Sequence, residues 1–148
     1  MKEGDSHKIL KLIMEKTKDF DFEWRLEGSA NLFVQGMLVS VRDLDITSTK
    51  NGIKIFENVL SEYSPNCLYN QEKKFHSLVC FIDGFEVEVN AYDKTELNMF
   101  DKIKKNSWKD LVIPILPLKS AKLFYSMINR TEKVELIEDH LLKLRQNL

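Results

Sequence analysis

The sequence predicts an α+β fold, a mixed β-sheet with helices packed mainly on one face, and three observations carry that prediction. Residues 21–27 and 41–47 each alternate apolar and polar side chains with the period of a strand. Residues 75–82 and 85–91 flank Asp83-Gly84, a dipeptide suited to a two-residue hairpin turn because both central positions need positive φ. Between and around these runs lie stretches whose apolar residues recur at the helical interval.

In order along the chain, Ser6 is placed to cap a first helix bearing Ile9, Leu10, Leu12 and Ile13. In the first strand Phe22, Trp24 and Leu26 oppose Glu23, Arg25 and Glu27, the pattern of a half-buried strand. Gly28 breaks it, Ser29 can cap a short helix through Leu32 and Phe33, and Gly36 can end that helix in the left-handed region. The second strand, 41–47, turns Leu44 and Ile46 one way and Asp43 and Asp45 the other. Ser48 or Thr49 then caps a helix with the stripe Ile53, Phe56, Val59 and Leu60.

Residues 63–74, with Pro65 and a charged cluster, read as a loop. In the second hairpin strand Phe85, Val87, Val89 and Ala91 share a face opposite Glu86, Glu88 and Asn90. Residues 93–109 are polar, with a short helix expected near 97–103, and 111–116 carries Pro114, which points to an edge strand or a strand end. Pro117 suits the start of a helix carrying Leu118, Ala121, Leu123, Phe124 and Met127, and Thr131 can cap a last one with Val134, Ile137, Leu141 and Leu144.

The whole of 1–148 is expected to form one domain, with a catalytic core over about 20–92 and C-terminal helices over about 117–146. With 22 basic and 23 acidic residues the net charge is -1, so no global field favours nucleic acid or an anionic membrane. Cys67 and Cys80 stand in no metal-ligand or redox spacing and read as free thiols in a reducing compartment. Without a signal peptide or a long apolar span, the expected location is the cytoplasm.

Two stretches carry chemistry. An Asp-x-Asp on a strand sends both carboxylates to one side, roughly 6 to 7 Å apart at Cα. Such like charges raise each other's pKa unless a cation sits between them. If the hairpin strand lies alongside, Glu88 adds a third carboxylate and the set becomes an oxygen-rich site for Mg²⁺. Gly28-Ser29, at a strand exit and a helix start, offers backbone N–H groups to an anion.

The order Leu26-Glu27-Gly28-Ser29, then Arg42-Asp43-Leu44-Asp45-Ile46, then Val87-Glu88-Val89 resembles the DNA polymerase beta-like nucleotidyltransferase superfamily. It is most similar to small nucleotidyltransferase-domain proteins and the aminoglycoside- and lincosamide-modifying branch. The resemblance implies the nucleotidyltransferase fold and a metal-dependent enzyme that moves a nucleoside monophosphate, AMP from ATP or another NTP, to a hydroxyl acceptor. It implies that Asp43, Asp45 and Glu88 are catalytic and hold two Mg²⁺ ions about 3.5 to 4 Å apart, and that Gly28 and Ser29 bind the nucleotide phosphates. Glu86 is the alternative third carboxylate.

The acceptor expected is a small molecule or a protein, reached by a homodimer or with a partner subunit, and nucleic acid is disfavoured. The alternative is an inactive or weakly active regulatory module of the same fold, acting antitoxin-like on a protein partner. Of the remaining polar residues, Arg42 reads as a structural ion-pair former. Lys122, Tyr125, Arg130 and Lys133 read as solvated helical residues, and His7, His76 and His140 as isolated surface histidines. Trp24 and Trp108 read as core or partial core rather than as base-stacking platforms.

Overall fold

The computed structural model describes residues 1–147. Helix α1, Glu3–Thr17, buries Ile9, Leu10 and Ile13 as its spacing requires. Its start lies upstream of Ser6, because Asp5 accepts the backbone N–H of Lys2 at 2.9 Å and so provides the cap. Ser6 sits buried within the helix, its hydroxyl on the Met1 sulfur.

Strand β1, Trp24–Glu27, is buried at all four positions rather than half-buried. The cause is cover on both faces: Trp24 and Leu26 enter the main core, while the Arg25 guanidinium lies 5.3 Å from the Phe124 ring centroid of the C-terminal helices. Helix α2, Gly28–Val34, begins directly at Gly28, so Ser29 is inside its first turn and not its cap. Gly36, at φ 98°, ends it as expected, and Met37 N–H reaches back to the Leu32 carbonyl. Strand β2, Leu44–Ser48, is shorter than the alternation implies and leaves Asp43 just before it. Thr49 caps α3, Lys50–Val59, by accepting the Gly52 N–H at 2.8 Å, while the Ser48 hydroxyl donates to the Glu23 carbonyl.

The stretch read as a loop holds a strand, β3, Asn66–Asn70, exposed at every position. With neither face buried it has no alternation to betray it, and backbone pairing to β4 alone defines it. Strands β4, Phe75–Ile82, and β5, Phe85–Tyr92, form the expected hairpin, with Asp83 and Gly84 at φ 53° and 81°. The single helix expected near 97–103 is instead two 3₁₀ turns, Thr95–Leu97 and Phe100–Lys102, followed by edge strand β6, Lys104–Trp108.

Strand β7, Leu111–Ile115, is not at the edge. It meets β1 only at Leu26↔Ile115, so Pro114 is tolerated where most of the strand has β6 as its sole partner. Helices α4, Leu118–Met127, and α5, Thr131–Gln146, close the chain. Thr131 is the first helical residue rather than the cap, and Leu123, Met127 and Leu144 stay exposed, since α4 turns only Ala121, Phe124 and Tyr125 inward.

Among the described residues seven strands run β3-β4-β5-β2-β1-β7-β6 in one mixed sheet, parallel at β2/β5 and β1/β7 and antiparallel elsewhere. Helices α1 and α3 cover one face with the larger core, around Leu26, Ile46, Phe56, Leu78, Val87 and Ile113. A smaller cluster, Leu32, Leu97, Leu116, Phe124, Tyr125 and Ile137, binds α4 and α5 to the sheet near β1. No helix among the described residues is long and apolar enough to cross a membrane, and Cys67 and Cys80 are free.

Candidate active site

The strand registers bring three carboxylates abreast. Antiparallel β1 sets Glu27 opposite Asp45, and parallel β5 sets Glu88 opposite Asp45 on the other side. Paired strands lie about 4.8 Å apart, so Glu27, Asp45 and Glu88 form a row on one sheet face. Asp43 precedes β2 on the same side.

These groups line a cleft of about 360 Å³ together with Gly28, Ser29, Asn90 and Tyr92, and α4 and α5 close it with Phe124, Tyr125, Arg130 and Lys133. All five residues singled out from the sequence, Gly28, Ser29, Asp43, Asp45 and Glu88, therefore meet in one place. Glu86 is not among the lining groups. A roomier hollow, about 590 Å³ between Phe22, Trp24, Phe100 and Pro114, lacks such convergence.

The cleft concentrates negative charge. Burial, then Asp43, then Glu88 push the Asp45 carboxyl up to about 7. Burial, Glu86 and Asp43 likewise raise that of Glu88. Among the described residues no three acidic, histidine or cysteine side chains are already drawn tightly around one point. The donor set nevertheless suits Mg²⁺, which takes few protein oxygens and keeps water or phosphate oxygens in its other positions. A second observation agrees: Gly28 holds φ 67°, and a Cβ there would stand 2.6 Å from Asp45 Oδ2, so the glycine makes room for that carboxylate.

Two residues expected to be solvated, Lys133 and Tyr125, are drawn into the cleft, and Arg130 lines it. Lys133 Nζ donates to Ser29 Oγ at 2.7 Å, and partial burial and Arg130 lower its pKa. Arg130 lines the same wall but stays exposed, its Nε donating to Glu132 Oε1 at 2.7 Å, whereas Tyr125 is buried, its phenol pushed well above the ordinary range by burial and by Glu27. Helical periodicity marks such residues only as one face of a helix; what they meet depends on how α4 and α5 dock. Lys122 does stay outside, 3.8 Å from Glu138.

The structural ion pair expected at Arg42 is built elsewhere: Arg42 is exposed and unpaired among the described residues, whereas fully buried Arg25 donates from Nε to Glu27 Oε2 at 3.0 Å. Arg25 also donates to the carbonyls of Leu97 and Asn98. The sequence held a signal for this pair, since residues i and i+2 of a strand face the same way. Thr47 adds a bond to Glu27 Oε2, while Glu27 Oε1, Asn90 Oδ1 and the Tyr125 hydroxyl are buried without a partner among the described residues. His7 contacts Asp110 and His76 approaches Asp93, both away from the cleft.

A family model for aminoglycoside-2''-adenylyltransferase matches residues 9–140. No curated protein matches the chain. Among solved structures, a Thermotoga maritima protein assigned as a nucleotidyltransferase shares 24% identity over 97% of this chain and 96% of its own, with a TM-score of 0.77. The lincosamide antibiotic adenylyltransferase LnuA, lincomycin-bound, gives 14%, 93%, 97% and 0.61 for the same measures. ANT(2'')-Ia in complex with adenylyl-2''-tobramycin gives 8%, 93%, 90% and 0.60. At these identities the likeness is one of fold, the nucleotidyltransferase fold. The family model, which spans most of the chain, goes further: this protein belongs to the aminoglycoside-2''-adenylyltransferase family.

Proposed function

We propose that the protein transfers a nucleoside monophosphate, AMP from ATP, to a hydroxyl acceptor. The observation that carries this reading is the facing of two unlike walls across one cleft: Asp43, Asp45 and Glu88 on the sheet, Arg130 and Lys133 on the C-terminal helices, with Gly28-Ser29 between them. Carboxylates suit a metal, and the cations suit the triphosphate that the metal would bridge to. Helix α2 has only seven residues, so its dipole contributes little and Lys133 and Arg130 supply the charge.

Asp43, Asp45 and Glu88 would hold two Mg²⁺ ions, which when bound neutralise the triphosphate and acidify the acceptor hydroxyl. Gly28, which makes room for Asp45, and Ser29 would face the phosphates, and Lys133, bonded to Ser29, would bring its charge to the same oxygens. The acceptor oxygen forms its bond to the α-phosphorus as the bond to the β-phosphate's bridging oxygen breaks, and pyrophosphate leaves with that electron pair. Glu88, at the β5 end of the carboxylate row, would take the hydroxyl proton.

Calorimetric titration with ATP tests the reading. Binding is expected only with Mg²⁺ or Mn²⁺ present, and the double change Asp43→Asn, Asp45→Asn should abolish it. Metal-independent binding would overturn the proposal, and no binding at all would favour the partner-binding regulatory module.

A further inference from the structure

The two edges of the sheet are built differently. Strand β6 carries Lys104 and Lys105, both exposed, and such charges discourage another strand from pairing there. Strand β3, Asn-Cys-Leu-Tyr-Asn, has no charged residue and no proline, and its pairing runs without a bulge from Asn66↔Val79 to Asn70↔Phe75. It is exposed at every position, and among the described residues no strand lies on its outer side.

The ladder fixes which backbone groups this edge leaves free. A two-residue hairpin turn closes on a hydrogen-bonded pair, here Ile82↔Phe85, and such pairs alternate along an antiparallel ladder. Cys80, Leu78 and His76 therefore turn their N–H and C=O groups to β5, while Val79, Ser77 and Phe75 turn theirs to β3. Their partners Asn66, Leu68 and Asn70 bond inward, so the N–H and C=O groups of Cys67 and Tyr69 point out.

We infer that this edge pairs with β3 of a second copy, antiparallel about a two-fold axis at Leu68. In that register Cys67 meets Tyr69 of the second copy and Tyr69 meets its Cys67, so every outward backbone group finds a partner. Leu68, 56% exposed, meets its own counterpart on the axis, and Asn66 meets Asn70. A two-fold contact matches a patch to itself, and this strand is neutral throughout. Charge selects the antiparallel orientation. The Cys67 end is acidic, with Glu57 Oε2 accepting from Cys67 Sγ at 3.1 Å. At the Tyr69 end Asp93 is offset by Lys50 at 3.4 Å, and Lys73 and Lys74 outnumber Glu72 in the turn that follows. The two-fold axis brings unlike ends together, whereas parallel pairing would set like ends side by side.

The test uses the full chain. Sedimentation equilibrium is expected to show a dimer at tens of micromolar, the weak affinity of an interface made by one short strand. Leu68→Lys sets like charges across the axis at an exposed position and should leave a monomer with the wild-type Tm. Register is read by cross-linking with diamide in a Cys67→Ser background, where the remaining Cys80 is buried. Leu68→Cys brings two thiols onto Cα atoms about 4.5 Å apart, within disulfide range, and should form a covalent dimer. Asn66→Cys, whose counterpart would lie about 13 Å away along the strands, should not. A monomer at the same concentration would leave the edge to an extended peptide of another protein and overturn the inference. So would a dimer that Leu68→Lys does not dissociate, or Asn66→Cys cross-linking as readily as Leu68→Cys. If Leu68→Lys does not fold, the two cysteine variants decide alone.

Discussion

Lys133 Nζ donates to Ser29 Oγ across 2.7 Å, joining residues 104 apart in sequence and tying α5 to the first turn of α2. The bond places an ammonium, partly stripped of water, where the proposed triphosphate needs a counter-charge. A hydrogen bond to a charged group contributes about 1.5 to 3 kcal/mol. Lys133→Met is therefore expected to weaken Mg·ATP binding roughly 10- to 100-fold. Lys133→Arg, which keeps the charge, should retain most of it. Equal affinity in wild type and Lys133→Met, measured by calorimetry, would place Lys133 outside the phosphate site.

The carboxylate row should cost the metal-free protein stability in a pH-dependent way. Asp45 is held at about 7 in the fold against an ordinary value of 3.8, so between these values the folded state keeps a proton that the unfolded chain gives up. Stability is then present at low pH and lost as pH rises through that window. Asp45→Asn removes the penalty, on the order of 4 kcal/mol at pH 8 and little at pH 4, or roughly 8 to 16 °C in Tm at the higher pH. Scanning calorimetry in EDTA reads this directly. Added Mg²⁺ should raise the Tm of the wild type and leave that of Asp45→Asn where it is. A variant less stable than wild type at pH 8 would contradict the account.

How much of this was legible in the sequence follows from how local each signal is. Gly28, Ser29, Asp43 and Asp45 fall within one strand-helix-strand unit, where the strand period assigns each side chain a face, and Glu88 follows from the alternation of a hairpin strand. Lys133 and Tyr125 were not legible because their place depends on docking α4 and α5 over β1, and nothing local distinguishes them from wet helical residues. Strand β3 escaped for a different reason: it is exposed on both faces, so its residues were never sorted into polar and apolar sides. Arg25 and Glu27 wore the pattern of a solvated face, and only the cover by Phe124 shows them to be interior.

Gly28 and Gly36 separate backbone strain from site geometry. Both have positive φ, 67° and 98°, and an alanine at either should cost about 1 to 2 kcal/mol from backbone alone. A Cβ at Gly28 also meets Asp45 Oδ2 at 2.6 Å, whereas at Gly36 it meets open space. Gly28→Ala is therefore expected to lose both stability and the Mg²⁺-dependent rise in Tm. Gly36→Ala should lose stability alone. The same metal response in both variants would mean that Asp45 does not depend on the space Gly28 leaves.

The Arg25–Glu27 pair makes a sharper case, because its two members are buried together beside the site. Removing only the cation, as in Arg25→Met, leaves the Glu27 carboxylate interior and supported by Thr47 alone, and such a loss costs about 3 to 5 kcal/mol. Replacing both, as in Arg25→Met with Glu27→Leu, removes the stranded charge and should recover most of that stability, since a buried pair contributes little net of desolvation. The double variant also takes one carboxylate out of the row beside Asp45, which relieves its repulsion. Urea unfolding of wild type, both single variants and the double yields the coupling energy, expected to exceed about 2 kcal/mol. Strictly additive losses would show that Arg25 acts through the Leu97 and Asn98 carbonyls and not through Glu27.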